Sequence, residues 1–397
     1  MLTAAGAPDT MPATRRRVCQ DRFLSARAAK GLPRMPDGKL ERLRSEIRRL
    51  DEEILDLARK RTALAGENGR RKLALGLPVR DYETEREVFA LAERKCAARG
   101  LDPTIGREIT RALIAGAVKE QEEIHERRFL GTRRRISILG GRGKMGSWLA
   151  RYLHSRGHRV LVHDPAGALP GFRSTKNLGR ALAEAEVVFL SVPLHEAEKV
   201  YARVRTSRPE GTIVDIFSLK SHVLGEIRRS IEDGLAVTSA HPLFGPGVYL
   251  LSDRILLLCP CGHSAADRTV ADLFAGTSLE LVRLPVEEHD RAIGIVLGLS
   301  HTVNILFTEA LARSGFGADE LARLATTTFE KQVKSASEVA RENARLYYDI
   351  QHLNEHTPDV FRLLGRAFES LRRAALSPSP RGFAAMMERG RKFYEEP

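Results

Sequence analysis

The chain has 397 residues, 43% apolar and 29% charged with a formal net charge of +13, a composition that suits packed cores in two or three domains and excludes bulk disorder. Four cysteines (Cys19, Cys96, Cys259 and Cys261) form no CxxC pair, which argues against a disulfide framework or a zinc module, gives no metal site, and fits a reducing, cytoplasmic compartment. No apolar run approaches the ~20 residues needed to span a bilayer, and 6% aromatics without a zinc-finger, basic-heptad or base-stacking motif argue for no membrane and no nucleic-acid partner.

Residues 1–38 are rich in Gly, Pro, Ala and Arg without any period and read as a disordered basic tail. From 39 to 130 the pattern is helical. Leu40, Leu43, Ile47, Leu50, Ile54, Leu57 and Leu64 recur at three- and four-residue steps, an amphipathic face. Gly76–Asp81, with Pro78, reads as a turn. A second helix is expected from about Thr84 to Arg99, ended by Gly100, Asp102 and Pro103. A third carries Ile105, Ile109, Leu113, Ala117, Gln121 and Ile124 on one stripe. Three helices this short of core would be poorly buried alone, so a partner chain is expected.

Polar residues interrupt those stripes. Arg61 stands where an aliphatic residue belongs, Lys72 follows eleven residues later on the same face, and Gln121 breaks the third stripe. Unpaired buried cations are expensive. Either a dianionic ligand lies between the helices, or these side chains pair with Glu residues or extend outward to solvent; periodicity alone favours the latter.

The segment LERLRSEIRRLDEEILDLARKRTALAGENGRRK, continued by GLPVRDYETERE and KEQ, resembles the all-helical class of chorismate mutases over nearly all of residues 40–125. The resemblance implies an intertwined helical dimer that rearranges chorismate to prephenate. Carried over by position, it implies that Arg61 clamps a substrate carboxylate, Arg44 reaches into the partner's site, Lys72 and Gln121 donate to the ether oxygen of the breaking bond, and Asp81 and Glu85 contact the hydroxyl region. A Claisen rearrangement needs no nucleophile; it gains from a held conformer and from donors aimed at the oxygen that gathers charge. Two positions depart from the family: Thr84 replaces its usual Arg, and Ala117 replaces a hydroxyl.

At Arg133 the pattern changes to short β-rich runs alternating with helices: 135–140, 159–164, 187–193, 212–218, 236–240 and 255–259. This predicts a parallel sheet with crossover helices. Within it, Gly141-x-Gly143-x-x-Gly146, including Lys144 and Met145, follows a strand and opens a helix, and Asp164 ends the next strand 18 residues after Gly146. That context is the dinucleotide fingerprint: glycines let the backbone approach a pyrophosphate, the helix N-terminus stabilises its charge, and the carboxylate bonds ribose hydroxyls, favouring NAD over NADP. After about Glu287 the strands stop and the rest reads as a helical bundle.

The later motifs SVPLH (191–195), DIFSLKS (215–221), HPLFGP (241–246), EEHDRA (287–292) and GLSH (298–301) resemble the prephenate dehydrogenase family over about 133–370. This implies NAD-dependent oxidative decarboxylation of prephenate to 4-hydroxyphenylpyruvate, with Ser191 and Pro193 beside the cofactor. It implies His241 as the catalytic histidine on the ring hydroxyl, Ser218 as a supporting hydroxyl, and Lys220, His289 and His301 near the substrate. The arginine that anchors a carboxylate in that family falls on Glu338, leaving Arg341 or Lys334 to present the charge, and leaving prephenate and arogenate both open.

The expected fold class is therefore multidomain: a basic tail 1–38, a chorismate mutase-like helical domain 39–130, a Rossmann NAD-binding domain 133–285, and a helical dimerisation and substrate domain 286–397. The expected whole is a cytoplasmic homodimer making tyrosine precursors, its basic balance suited to the anions chorismate and prephenate. The alternative is a dehydrogenase whose helical domain is regulatory or dimerising.

Overall fold

The structure is a computed structural model, and it describes residues 38–75, 82–126, 132–248, 251 and 254–395. The expected tail and Asp81 lie outside the described residues.

Helix α1 (Gly38–Ala74) is one continuous rod, followed by α2 (Tyr82–Ala97) and α3 (Pro103–Glu126). The residues that join α1 to α3 are not the largest ones. A Cβ on Gly69 would fall 2.6 Å from Cγ of Gln121, and one on Gly66 would fall 3.0 Å from Cγ of Glu120. On α3 the buried residues are Gly106, Thr110, Ala117, Val118 and Gln121, whereas Ile105 and Ile109 of the predicted stripe are exposed. The aliphatic stripe of α1 is also uncovered: Ile54 is 57% exposed and Leu57 63%. Among the described residues nothing covers this continuous apolar stripe, an arrangement the hydrophobic effect disfavours in water.

The central domain is an eight-stranded sheet in the order β3-β2-β1-β4-β5-β6-β7-β8. The strands are β1 (Arg135–Leu139), β2 (Arg159–His163), β3 (Arg173–Thr175), β4 (Val187–Leu190), β5 (Thr212–Asp215), β6 (Val237–Pro242), β7 (Ile255–Cys259) and β8 (Glu280–Arg283). Strands β3 and β8 were not anticipated; each is short and lacks a run of apolar residues. The sheet is parallel except between β6 and β7, which pair antiparallel through Ala240–Leu258 and His241–Leu257. A parallel sheet was expected; among the described residues between β6 and β7 no helix intervenes, which permits the reversal.

Both faces are covered, which is why β4 (Val-Val-Phe-Leu) is apolar and buried at every position. One face packs α4 (Lys144–Ser155) and α8 (Ser264–Phe274) through Trp148, Leu149, Leu153, Leu273 and Phe274. The other packs α5 (Leu178–Ala183), α6 (Leu194–Thr206) and α7 (Leu224–Glu232) through Leu182, Ala197, Tyr201, Val204 and Ile227.

The C-terminal part is helical. A single rod runs from α9 (Val286–Ile293) through a π-helical segment, Gly294–Leu299, into α10 (Ser300–Ala312). It corrects one expectation: Val286–Ala312 is long and apolar enough, by length and composition, to cross a membrane. His301, Thr302 and Asn304 interrupt the run to the eye, but they are buried on one side while Ile295, Val296, Ile305 and Leu306 are exposed on the other. Next come α11 (Ala318–Arg323), α12 (Thr327–Ala340), α13 (Ala344–His352), α14 (Thr357–Ala375) and α15 (Arg381–Glu395).

The close approach of α1 to α3 is testable. Gly69→Ala must displace Gln121, because Gln121 Cβ and Cα also lie within 3.3 Å of the added methyl. Denaturation followed by circular dichroism should show about 1–3 kcal/mol of lost stability, the usual penalty for overpacking.

Candidate functional site

Two groups of polar residues stand apart from the cores. The first lies between α1 and α3. Arg61 is half-buried and its Nη1 donates to the Leu113 carbonyl across the helix pair at 2.8 Å. Gln121 is buried against Gly69, and Lys72, three residues beyond Gly69, is half-buried on the same face of α1. Three of the predicted mutase residues are thus on the facing surfaces of two helices. Glu85 is half-buried on α2, and Thr84 is exposed. Arg44 is exposed and pairs with Glu41 at 3.2 Å. It lies 17 residues before Arg61, about 25 Å away along a straight helix, so it does not share that site within one chain.

The second group lies along the carboxyl edge of the sheet. Strands β1, β4, β5 and β6 run parallel, so the loops that follow them emerge together. After β1, Gly140 has φ of +82°, and a Cβ there would sit 2.4 Å from the Ser191 carbonyl oxygen. This glycine, which precedes the predicted fingerprint, is required for its turn. Side chains on Gly141 and Gly146 would strike Val162 and the Gly140 carbonyl, at 2.5 Å and 2.4 Å. Gly143 caps α4 without a side-chain hydrogen bond, so the first amides of that helix remain open to an anion. Asp164 accepts from the amides of Arg142 (3.0 Å) and Ala166 (2.9 Å), which holds its carboxylate between the glycine turn and the end of β2. Ser191 and Pro193 follow β4, with Pro193 capping α6. Met145 is half-buried and packs against the apolar cluster around Trp148, whereas Lys144 is exposed and reaches Glu342 of the helical part at 3.1 Å. A glycine cradle, an open helix N-terminus and a positioned carboxylate fit a dinucleotide.

His241 ends β6. Its Nδ1 lies 3.0 Å from Nε2 of His289, whose Nδ1 lies 2.6 Å from Asp290 Oδ1. Asp290 accepts in turn from the amides of Lys220 and Ser221 and from the Ser221 hydroxyl, at 2.9, 2.6 and 2.5 Å. Beside this chain, Lys220 is wholly buried and donates to Asp215 Oδ1 (2.5 Å), the Phe217 carbonyl (2.9 Å) and the Ala240 carbonyl (2.8 Å). A buried ammonium survives only when its protons are all accepted. Burial, outweighing other influences, holds His241 well below 6.5, and the neighbouring His289 and Lys220 lower it further. Burial likewise depresses His289 despite its bond to Asp290. Burial alone would raise Asp290, but hydrogen bonds from His289 and Ser221 outweigh it and bring the carboxyl to about 2.

The other predicted residues occupy different settings. Lys220 and His289, expected against substrate, have no exposure and spend their polar atoms inside the protein. Ser218 is half-buried, and among the described residues no hydrogen bond joins it to His241; Ser221 occupies the network instead. His301 lies under Tyr347, with ring centroids 4.2 Å apart, and its Nδ1 is buried without a partner. Arg341 is an exposed C-cap, and Glu338 and Lys334 are exposed on α12; it is the adjacent Glu342 that reaches the nucleotide loop. Sequence reasoning did not single out Asp290 or Asp215, though both sit inside recognised motifs. It also passed over Asp349, which accepts from Arg345 (2.7 Å) and lies 2.9 Å from His195 Nδ1, tying α13 to α6. A lone acidic residue carries no periodicity signal, and the partners of Asp290 on Lys220 and Ser221 and of Asp349 on His195 are distant in sequence and invisible without the fold.

Fold and site together define a nucleotide-dependent dehydrogenase joined to a helical module with a cationic interhelix site. Known proteins agree. The chorismate mutase type II family matches residues 43–122, the prephenate dehydrogenase nucleotide-binding domain 170–278, and the prephenate dehydrogenase dimerization domain 285–387. A T-protein of Enterobacter agglomerans is 26% identical over 314 residues, 79% of this chain and 81% of that protein. A chorismate mutase of Methanocaldococcus jannaschii is 33% identical over 76 residues, 19% of this chain and 77% of that one. The crystal structure of prephenate dehydrogenase from A. aeolicus with hydroxyphenyl propionate and NAD+ shares the fold at a TM-score of 0.55 and 16% identity, covering 67% of this chain and 99% of that one. The chain belongs to the bifunctional chorismate mutase/prephenate dehydrogenase family of tyrosine biosynthesis, an isomerase and an NAD-dependent oxidoreductase in one polypeptide.

Burial of neutral histidines links stability to pH. His158, His163, His222, His241, His289 and His301 are all depressed below 6.5, mainly by burial, His158 to about 4. Unfolding lets each take a proton at its ordinary value, so their contribution is full above about 6.5 and is lost as pH falls through the folded values. The melting temperature should hold between pH 8 and 7 and decline steadily from 6.5 towards 4; a flat profile across that range would contradict neutral burial.

Proposed function

We propose that residues 39–130 convert chorismate to prephenate and that 133–285 and 286–397 together oxidise the prephenate so formed, the observation that carries the second step being the His241–His289–Asp290 chain at the carboxyl edge of a dinucleotide-binding sheet. In the first site Arg61 holds a substrate carboxylate. Lys72 and Gln121 donate to the ether oxygen as it gains negative charge, stabilising the transition state more than the ground state. Gln121 donates at any working pH because it carries no acidic proton to lose. Arg44, too far to serve its own chain, completes the site of a second copy, with Asp81 and Glu85 near the substrate hydroxyl. The uncovered aliphatic stripe of α1 supports that pairing.

In the second site the backbone of Gly141, Gly143 and Gly146 approaches the pyrophosphate of NAD, and Asp164 receives ribose hydroxyls while repelling a 2′-phosphate. When bound, NAD supplies the hydride acceptor. His241 takes the proton of the ring hydroxyl as the carbinol carbon is oxidised. Loss of carbon dioxide then aromatises the ring. Ser218 and His301 border the substrate, and Arg341 presents positive charge near its carboxylates. Prephenate is the preferred substrate over arogenate, Arg341 or Lys334 supplying the positive charge that Glu338 does not carry. The assembly is a cytoplasmic homodimer without nucleic-acid or membrane partners.

Separate assays test the two halves. Lys72→Ala should abolish chorismate consumption while leaving NADH formation from supplied prephenate within about twofold. His241→Asn should do the reverse, cutting oxidation by about 10²–10⁴-fold, the range of a lost general base, with NAD affinity retained.

Cofactor choice is tested by titration. Asp164→Ala should weaken NAD and narrow its advantage over NADP; an unaltered preference would remove Asp164 from that role.

A further inference from the structure

We propose that Asp290 and His289 act as positioning residues that fix the tautomer of His241, so that Nε2 carries the lone pair facing the substrate hydroxyl. The inference rests on the assignment of His241 as proton acceptor and goes beyond it by naming which ring nitrogen acts and what selects it.

Hydrogen-bond directions settle the chain link by link. Asp290 is charged and accepts from the Ser221 amide and hydroxyl and from the Lys220 amide. An ionised carboxylate only accepts, so the 2.6 Å contact to His289 Nδ1 places a proton on that nitrogen. A neutral His289 then has a bare Nε2, and the 3.0 Å contact to His241 Nδ1 requires that His241 be the donor. A neutral His241 with its proton on Nδ1 has its lone pair on Nε2. The competing arrangement is a doubly protonated His289 donating to His241 Nδ1, which would place the His241 proton on Nε2 and leave it unable to act as base. That arrangement puts an imidazolium with no solvent exposure beside the buried ammonium of Lys220. Asp215 compensates that ammonium. Asp290 is the carboxylate in contact with His289, but it already accepts from Lys220 and Ser221, and burial outweighs it and keeps His289 below its ordinary value.

The backbone makes the chain rigid. Lys220 holds the Ala240 carbonyl, one residue before His241. Asn354 Nδ2 donates to the Asp290 carbonyl at 2.9 Å. The π-helical segment begins four residues after Asp290, and its Gly298 carbonyl accepts from Gln351 at 2.9 Å. Local π-geometry shifts the phase of a helix and recurs at functional sites; here it lets α9 aim His289 at the sheet while α10 turns His301 towards Tyr347. The titratable and charged groups around His241 are therefore His289, Asp290, Lys220 and Asp215, with His222 on the adjoining turn.

His289→Leu, His289→Gln and His241→Asn in the full-length protein provide the test, with chorismate mutase turnover as the internal check on folding. Leu removes the acceptor; the amide oxygen of Gln can replace Nε2. His289→Leu should lower the kcat of prephenate oxidation about 100-fold or more, as loss of the correct tautomer does in other histidine bases, with KM for prephenate and NAD within about threefold. His289→Gln should restore at least tenfold of that loss. Nitrogen-15 NMR of histidine-labelled wild-type protein, assigned with His241→Asn, should show Nδ1 of His241 protonated and Nε2 bare at neutral pH. A His289→Leu enzyme within threefold of wild type, or a protonated Nε2, overturns the inference. If His241→Asn itself kept full activity, the underlying assignment of the base would fail instead. Should His289→Leu not fold, the wild-type spectrum alone decides.

Discussion

A wholly buried ammonium is the constraint on which the dehydrogenase half depends. Lys220 has no exposure, and its three acceptors come from three places in the chain: the end of β5, the turn after it, and the end of β6. Breaking such a pair on one side typically costs about 3–5 kcal/mol, so the strand ends cannot drift apart independently. Because Ala240 is one of those acceptors, the same interaction that neutralises the cation also fixes where His241 emerges. The charge network is therefore a structural device placed directly behind the chemistry.

The two clasps between sheet and helical part follow the same logic at lower cost. His195 with Asp349 and Arg345, and Lys144 with Glu342, bridge elements that are distant in sequence. The first is half-buried, with Asp349 nearly so completely; the second is exposed, worth at most about 1 kcal/mol. The exposed pair, between the start of α4 and the turn after α12, is the weaker tie, and the more buried one is the firmer hold of α13 on α6.

The helical half is built by the opposite means. Its helices meet through Gly66, Gly69, Ala117 and Gln121 rather than through large aliphatics, which stay exposed on α1. Small residues bring two backbones close enough for Arg61 to span from one helix to a carbonyl of the next. The large side chains are left exposed along α1, so one helix carries a polar site and an uncovered apolar face with different residues of a single amphipathic pattern.

From the sequence alone came the division into a helical segment, an alternating α/β segment and a helical end, because periods of 3.6 and short aliphatic runs are local signals. The glycine turn and its distal carboxylate were legible for the same reason: a backbone that must approach a phosphate cannot carry side chains. What the sequence could not settle was the burial state of charged motif residues. Lys220 and His289 look alike as ligands or as scaffold until the fold brings Ala240 and His241 against them, and Ser218 and Ser221 are indistinguishable until Asp290 chooses one. Tertiary structure made those decisions, since desolvation is decided by everything that packs around a group and not by its neighbours in the chain.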